Sequence, residues 1–172
     1  SDVVIVNDHE EPKTNGAGRT SQPGMDGSED TGGALFMRGE SVRVCVLPRD
    51  PSQSKVDLNS FVHTNGAEKF NDELSNSPDF ISFLISRVTK EDPAKKKESQ
   101  VKKLTSFLSI CGEIEREEHL KLASKRWGVS ISALRKSSAS HGKAEAAANV
   151  SSAEAQVVPP SGPGDLVGAV VA

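Results

Sequence analysis

The hydrophobic positions of this chain change their rhythm once. Val3-Val4-Ile5-Val6 and Val42-Arg43-Val44-Cys45-Val46-Leu47 are compact runs rich in β-branched residues, the second closed by Pro48, and such runs predict buried strands. Beyond Pro48 the period becomes helical. Residues 55–61 and 66–70 predict two short helical segments after a polar turn at 49–52. Ser77-Pro78 reads as N-cap and first helical position ahead of Phe80, Ile81, Leu84 and Val88. Asp92-Pro93 repeats that signal before the stripe Val101, Leu104, Phe107, Leu108 and Cys111, with Gly112 as its stop. A third helix is predicted over 113–127, with Ile114, Leu120, Ala123 and Trp127 inward and Gly128 ending it. A fourth, over 130–136, buries Ile131 and Leu134.

Between the two strands, residues 12–30 are rich in Gly, Ser, Asp and Thr and predict a long loop, with Asn15-Gly16 and Pro23-Gly24 as turns. A short helix is expected over 31–38, carrying Ala34, Leu35 and either Phe36 or Met37 inward and ended by Gly39. Strand, loop, helix and strand make one βαβ unit, whose strands should be parallel with a right-handed crossover. The fold class is therefore α/β: a partial parallel βαβ unit followed by a small helical bundle. Its expected divisions are 1–50, 51–138 and a tail at 139–172, where Ala, Ser, Gly and Pro dominate and disorder is expected.

Composition narrows this picture only a little. A chain of 172 residues with 35% hydrophobic and 4% aromatic content supports a modest core. The net charge of -3 gives no global basic field, so any nucleic-acid contact must come from a local patch. Cys45 and Cys111 lack CxxC or Cys/His spacing and read as buried, reduced thiols. No apolar run approaches the roughly 18 residues that span a bilayer, and no signal-peptide layout is visible at Ser1, so no membrane association and a cytoplasmic location are expected. A chain that starts in a strand without methionine is expected to be a fragment.

Three sets of residues carry candidate chemistry. Asp8, Glu10 and Glu11 crowd carboxylates at the carboxyl end of a predicted strand, the end at which open α/β sheets bind ligands. Oxygen donors of that kind suit Mg²⁺ in metal-assisted phosphoryl transfer, and equally an acidic loop that keeps a sheet edge soluble. Asn15-Gly16-Ala17-Gly18-Arg19 is a glycine-rich turn beside a cation, suited to approaching a phosphate or to turning the chain. Lys95, Lys96 and Lys97, with Lys102 and Lys103, occupy the polar face of a predicted helix and suit either solvation or tracking of a nucleic-acid backbone. Residues 119–136 have the layout of a helix-turn-helix, but the short second helix offers few base-reading groups, which favours an αα-corner. The four histidines lie apart, without zinc-ligand spacing.

In co-linear order these pieces resemble the TOPRIM-containing primases, the bacterial replicative type with its phage and plasmid relatives. The resemblance rests on Val3 to Val6 with Asp8 and Glu10, then Ala17-Gly18-Arg19, Val42-Arg43-Val44 with Leu47-Pro48, and Lys55 with Asp57-Leu58-Asn59. It continues through Gly66-Ala67-Glu68 with Phe70, Phe80 to Arg87, Glu115 to His119, Leu122-Ala123 and Gly128-Val129-Ser130. It implies RNA primer synthesis on single-stranded DNA by Mg²⁺-dependent nucleotidyl transfer. Asp8 and Glu10 would be the catalytic and metal-binding acids, with Glu11 as an accessory, and Arg19, Lys95, Lys96 and Lys97 would meet nucleic acid. Single-stranded DNA and nucleotides are the implied partners, together with a replicative helicase reached through a further domain. The family's segment bearing an earlier metal-binding glutamate has no counterpart here, so the chain alone is expected to be inactive. Asp26-Gly27-Ser28 offers an alternative acidic turn. A nuclease, a primase-helicase and a non-catalytic nucleic-acid or partner module are the competing functions.

Overall fold

The computed structural model describes residues 2–14, 16 and 20–137. Arg19, its neighbours Ala17 and Gly18, and the predicted tail from 139 lie outside them. The strands are β1 (Asp2–Asn7), β2 (His9–Glu10), β3 (Lys13–Thr14), β4 (Thr20–Ser21), β5 (Ser41–Val46) and β6 (Lys55–Val56). The helices are α1 (Pro23–Phe36), α2 (Leu58–Ser75), α3 (Phe80–Ser86), α4 (Ala94–Leu108), α5 (Glu113–Trp127) and α6 (131–137). The chain is thus a mixed α/β structure with a small parallel sheet and helices around it.

β1 and β5 pair in parallel, with Ile5 opposite Val44, and α1 crosses between them. That is the βαβ unit expected from the two β-branched runs. The crossover helix is where the expectation fails. Residues 23–30, predicted as loop, form the first half of α1, with Pro23 in its first turn and Asp26 bonding back to the Gln22 amide at 3.1 Å. Glycine costs a helix roughly 1 kcal/mol per residue relative to alanine, but packing decides here. A β-carbon on Gly32 would lie 2.6 Å from the Phe80 ring, and one on Gly33 2.8 Å from Phe107. Bare helix surface lets those two rings and Phe36 meet, with centroids 5.1 to 6.0 Å apart. The inward residues of α1 are accordingly Ser28, Glu29, Gly32 and Gly33, whereas Ala34 and Met37 are exposed.

Helix α3 is the hub. Phe80, Ile81, Phe83, Leu84 and Ile85 are all buried, so the apolar face is wide and only the narrow stripe of Ser82 and Ser86 is left outside it. Its N-cap is Asp79, whose carboxylate accepts the Ser82 amide at 2.8 Å, two residues later than the Ser77-Pro78 signal indicates. Pro78 instead joins the sheet, its carbonyl accepting the Val44 amide at 3.0 Å. A buried helix end must find partners for its last carbonyls. Gln100 Nε2 donates to Leu84, Trp127 Nε1 to Ile85 and Arg126 Nη2 to Ser86, at 3.0, 2.9 and 3.1 Å.

One apolar core runs from Ile5, Val42 and Val44 through α3 to Leu104, Leu108, Leu120, Ala123, Trp127 and Leu134. A smaller one joins Cys45, Leu47, Val56 and Phe61 under α2. The predicted segments at 55–61 and 66–70 merge into α2 except at their start, where Lys55–Val56 form β6 instead of helix. α2 is capped by an Asp57/Ser60 capping box and broken at Gly66, whose φ of 84° only glycine adopts readily. Ile114, expected inward, is 80% exposed, because the buried face of α5 runs through Leu120, Ala123 and Trp127. Ile131 is half-buried, while Leu134 is fully buried. Both cysteines are free thiols in buried positions. Among the described residues no helix is long and apolar enough to cross a membrane.

Candidate functional site at the acidic strand end

The chain turns at Asp8, between β1 and β2, and three features fix that turn. Asn7 Nδ2 donates to the Gly24 carbonyl at 3.1 Å and to Ser28 Oγ at 2.6 Å, tying the end of β1 to the first turns of α1. Gly24 lets those elements touch: a β-carbon there would fall 1.9 Å from the Asp8 carbonyl oxygen. His9 Nδ1 lies 2.8 Å from the Leu47 carbonyl, and since a carbonyl only accepts, Nδ1 carries the proton.

The sequence neighbours Asp8, Glu10 and Glu11 then diverge in their partners. β2 pairs antiparallel with β6, setting Glu10 opposite Lys55. Lys55 Nζ consequently sits 2.6 Å from Asp8 Oδ2 and 3.9 Å from Glu10 Oε1. Two of the three acids therefore share one cation. Glu10 also accepts from Lys13 Nζ at 2.7 Å, and that hydrogen bond holds its carboxyl below the ordinary carboxylate value, with Lys55 adding to the effect. The Asp8 carboxylate in turn raises Lys55 above the ordinary lysine value. Glu11 turns away to Arg49, 3.3 Å distant. Three carboxylates and three basic side chains leave the turn internally neutral. Among the described residues no group of three or more His, Cys, Asp or Glu side chains is arranged to hold a metal ion.

On the other side of the first turns of α1 lies a polar cleft of about 660 Å³, lined among others by Gln22, Asp26, Glu29, Arg87, Lys96 and Lys103. Glu29, with its side chain only 8% exposed, meets Arg87 Nε at 3.5 Å and Lys103 Nζ. Arg87 also donates to Gln22 at 3.2 Å and to Asp26. Asp26 is thus a member of α1 that binds α3, not an acidic turn at a strand end.

The lysine run divides. Lys96 pairs with Asp92 at 2.8 Å and borders the cleft; Lys97 donates to the Lys90 carbonyl at 2.6 Å; Lys95 is exposed and enters no ion pair among the described residues. Sequence reading missed Lys13, Arg49 and Lys55 as members of the acidic site. For Lys55 the only signal was the two-residue match of β2 to β6, too short to register across more than 40 intervening positions, whereas Lys13 lies at i+3 from Glu10 and was locally legible.

Neither a family model nor a curated protein sequence matches this chain. Solved structures do. The fold is similar to part of a bacterial primase. With the crystal structure of the Aquifex aeolicus primase, comprising zinc-binding and RNA polymerase domains, the TM-score is 0.51 at 17% identity, over 77% of this chain and 28% of that one. The E. coli primase catalytic core gives 0.47 at 15% identity, covering 74% of this chain and 38% of that chain. For a DnaG catalytic core the values are 0.43 and 17%, with 76% and 40% covered. The chain spans less than half the length of each of these three primase chains.

Proposed function

We propose that this chain is the TOPRIM-derived and helical portion of a primase-type enzyme, which contributes its acidic turn to RNA primer synthesis on single-stranded DNA. One observation carries the reading: at the carboxyl end of a parallel strand, in a fold similar to part of a bacterial primase, Asp8 and Glu10 gather around a single cation. That cation is the Lys55 ammonium, and it stands where a metal ion would. Hard oxygen donors, exposed enough to keep waters and substrate phosphates, suit Mg²⁺, which takes one or two carboxylates at such sites. Asp8 and Glu10 would hold it; Glu11, engaged with Arg49, is the accessory. When bound, the ion supplies neutralisation of charge on phosphoryl oxygens. The chain itself supplies position. Asn7 and Gly24 hold the turn against α1, and His9 holds it against the end of β5. Lys95 to Lys97 and Arg19 would follow the nucleic-acid backbone, and a replicative helicase would be reached through sequence beyond 138.

A second reading, a non-catalytic binding module, is favoured by the pairing of every carboxylate of the turn with a basic side chain. The two separate in a chimera in which this chain replaces the matching segment of the Aquifex aeolicus primase. Primer synthesis from ribonucleotides should persist and fall at least about 100-fold with Asp8→Asn or Glu10→Gln, the scale on which catalytic electrostatics act. A folded, active chimera indifferent to both changes overturns the catalytic assignment. DNA binding lost only on substitution of Lys95, Lys96 and Lys97 would favour the module. The isolated chain should make no primers. Products of cleavage rather than synthesis would assign it to a nuclease.

A further inference from the structure

The composition that predicts disorder over 139–172 has one local exception, and it follows closely on an apolar groove. That groove, about 310 Å³ in volume, runs between the first two turns of α4 and the corner of α5 and α6. Its floor is made by Val101, Val129, Ala133 and Leu134. Lys97, Glu98 and Lys102 stand along the α4 wall, and none of the three forms a salt bridge among the described residues; Lys97 Nζ donates to the Lys90 carbonyl at 2.6 Å. The described chain ends at Ser137, itself part of the groove wall. Whatever follows leaves from the edge of the groove.

Residues 138–142 reach at most roughly 17 Å when extended, and Gly142 permits a reversal. Residues 143–151 then hold four alanines, the strongest helix former, with Glu145 in the first turn, where a carboxylate is favoured. As a helix they would measure about 13 Å, against about 10 Å from Ala94 to Val101 along α4. Ala144, Ala147, Ala148 and Ser151 would share one face, small enough to approach closely a groove that Ala94 and Ala133 line. Lys143 and Glu145 border that face on opposite sides, and the α4 wall offers a partner to each: Glu98 to the base, Lys97 and Lys102 to the acid. A helix this short does not stand alone in water, so it needs such a surface. We propose that residues 143–151 fold onto the groove as a seventh helix, which fixes the point at which the remaining chain leaves the bundle. Val157-Val158 and Leu166-Val167 bring larger apolar groups, but the charges beside them are the acids Glu154 and Asp165, which leave Glu98 unmet. The inference is independent of the primase reading.

The test uses the full 172-residue chain, with amide hydrogen exchange over 144–151 as the readout and fluorescence of the buried Trp127 reporting that the bundle stays folded. Those amides should exchange at least about tenfold more slowly than in an unstructured peptide of the same sequence. Ala133→Gln, at an exposed position whose longer side chain would fill the groove, should return them to the free rate. Glu145→Lys should lower the protection about two- to threefold, and Lys97→Glu with Lys102→Glu should restore it in that background. Free exchange in the unaltered chain overturns the proposal. So does protection indifferent to Ala133→Gln, which would mean a helix that stands alone. Protection centred on 157–158 instead, or protection that rises with protein concentration as a second copy in the groove would make it do, assigns the groove to another occupant and overturns it equally.

Discussion

Two clusters of charge flank the first half of α1, and they differ in how deeply their most buried acid lies. In the acidic turn Asp8 and Glu11 meet their basic partners near the surface, their side chains 43% and 53% exposed, although Glu10 and Arg49 are down to 19% and 16%. The cluster of Arg87, Asp26, Glu29 and Lys103 lies between α1, α3 and α4, with the Glu29 and Arg87 side chains only 8% and 14% exposed. Exposed pairs contribute little to stability because water competes for both partners. A desolvated pair is a different object: removing one partner strands a charge that water no longer reaches. The chain therefore clamps α1 with one cluster and keeps the other exchangeable.

That contrast can be broken in order of effect. Arg87→Met should be the most damaging change, costing about 3 kcal/mol by urea denaturation, since Glu29 would keep only Lys103. Lys55→Gln at the acidic turn should leave the denaturation midpoint unmoved, and equal losses from the two would erase the distinction. Gly24→Ala tests the join. Its β-carbon would collide with the Asp8 carbonyl, costing about 1–3 kcal/mol and shifting the Asp8 amide resonance.

Smaller effects follow pH. Burial pushes the Cys111 thiol up to about 11 from an ordinary value of 9.0, with the Glu115 carboxylate adding to it. A raised value in the folded chain stabilises below pH 9.0, and that contribution fades as pH climbs toward about 11. Cys111→Ala should flatten this alkaline limb. Glu10 runs the other way: its value is depressed by Lys13, so its contribution is present above an ordinary value of 4.5 and is lost as pH falls through the folded one. Lys13→Ala should shrink that acid limb, with Lys55 sustaining the rest, the smallest of the four effects because Lys13 is exposed.

How much of this was legible in the sequence depends on whether the signal was local. The βαβ unit was legible because Val3 to Val6 and Val42 to Leu47 are β-branched runs of strand length, although only Ile5 of the first run is buried, and the connection between them is long enough to cross over. The stripe Val101, Leu104, Leu108 and Cys111 was legible because periodicity reports one buried face. The first half of α1 was not. Pro23-Gly24-Met25-Asp26-Gly27-Ser28 has the composition of a turn, and it is the close approach of Asp8 to Gly24 that favours bare helix there. Ile114 misled for the complementary reason, since one apolar residue at plausible spacing does not say which face a neighbour covers.

The sequence by itself determined the parallel pairing of the two strands, the order of the helices after Pro48 and the presence of carboxylates at a strand end. These follow from β-branched runs, helical periods and residue identity, all short-range properties. Tertiary structure decided that Lys55 and Arg49 are the cations of Asp8 and Glu11, that Asp26 belongs to a clamp and Asp8 to a turn, and that α3 is a hub buried over most of its surface. Each depends on elements tens of residues apart being brought within a few ångströms, and pairings at that separation leave no period or spacing in the chain.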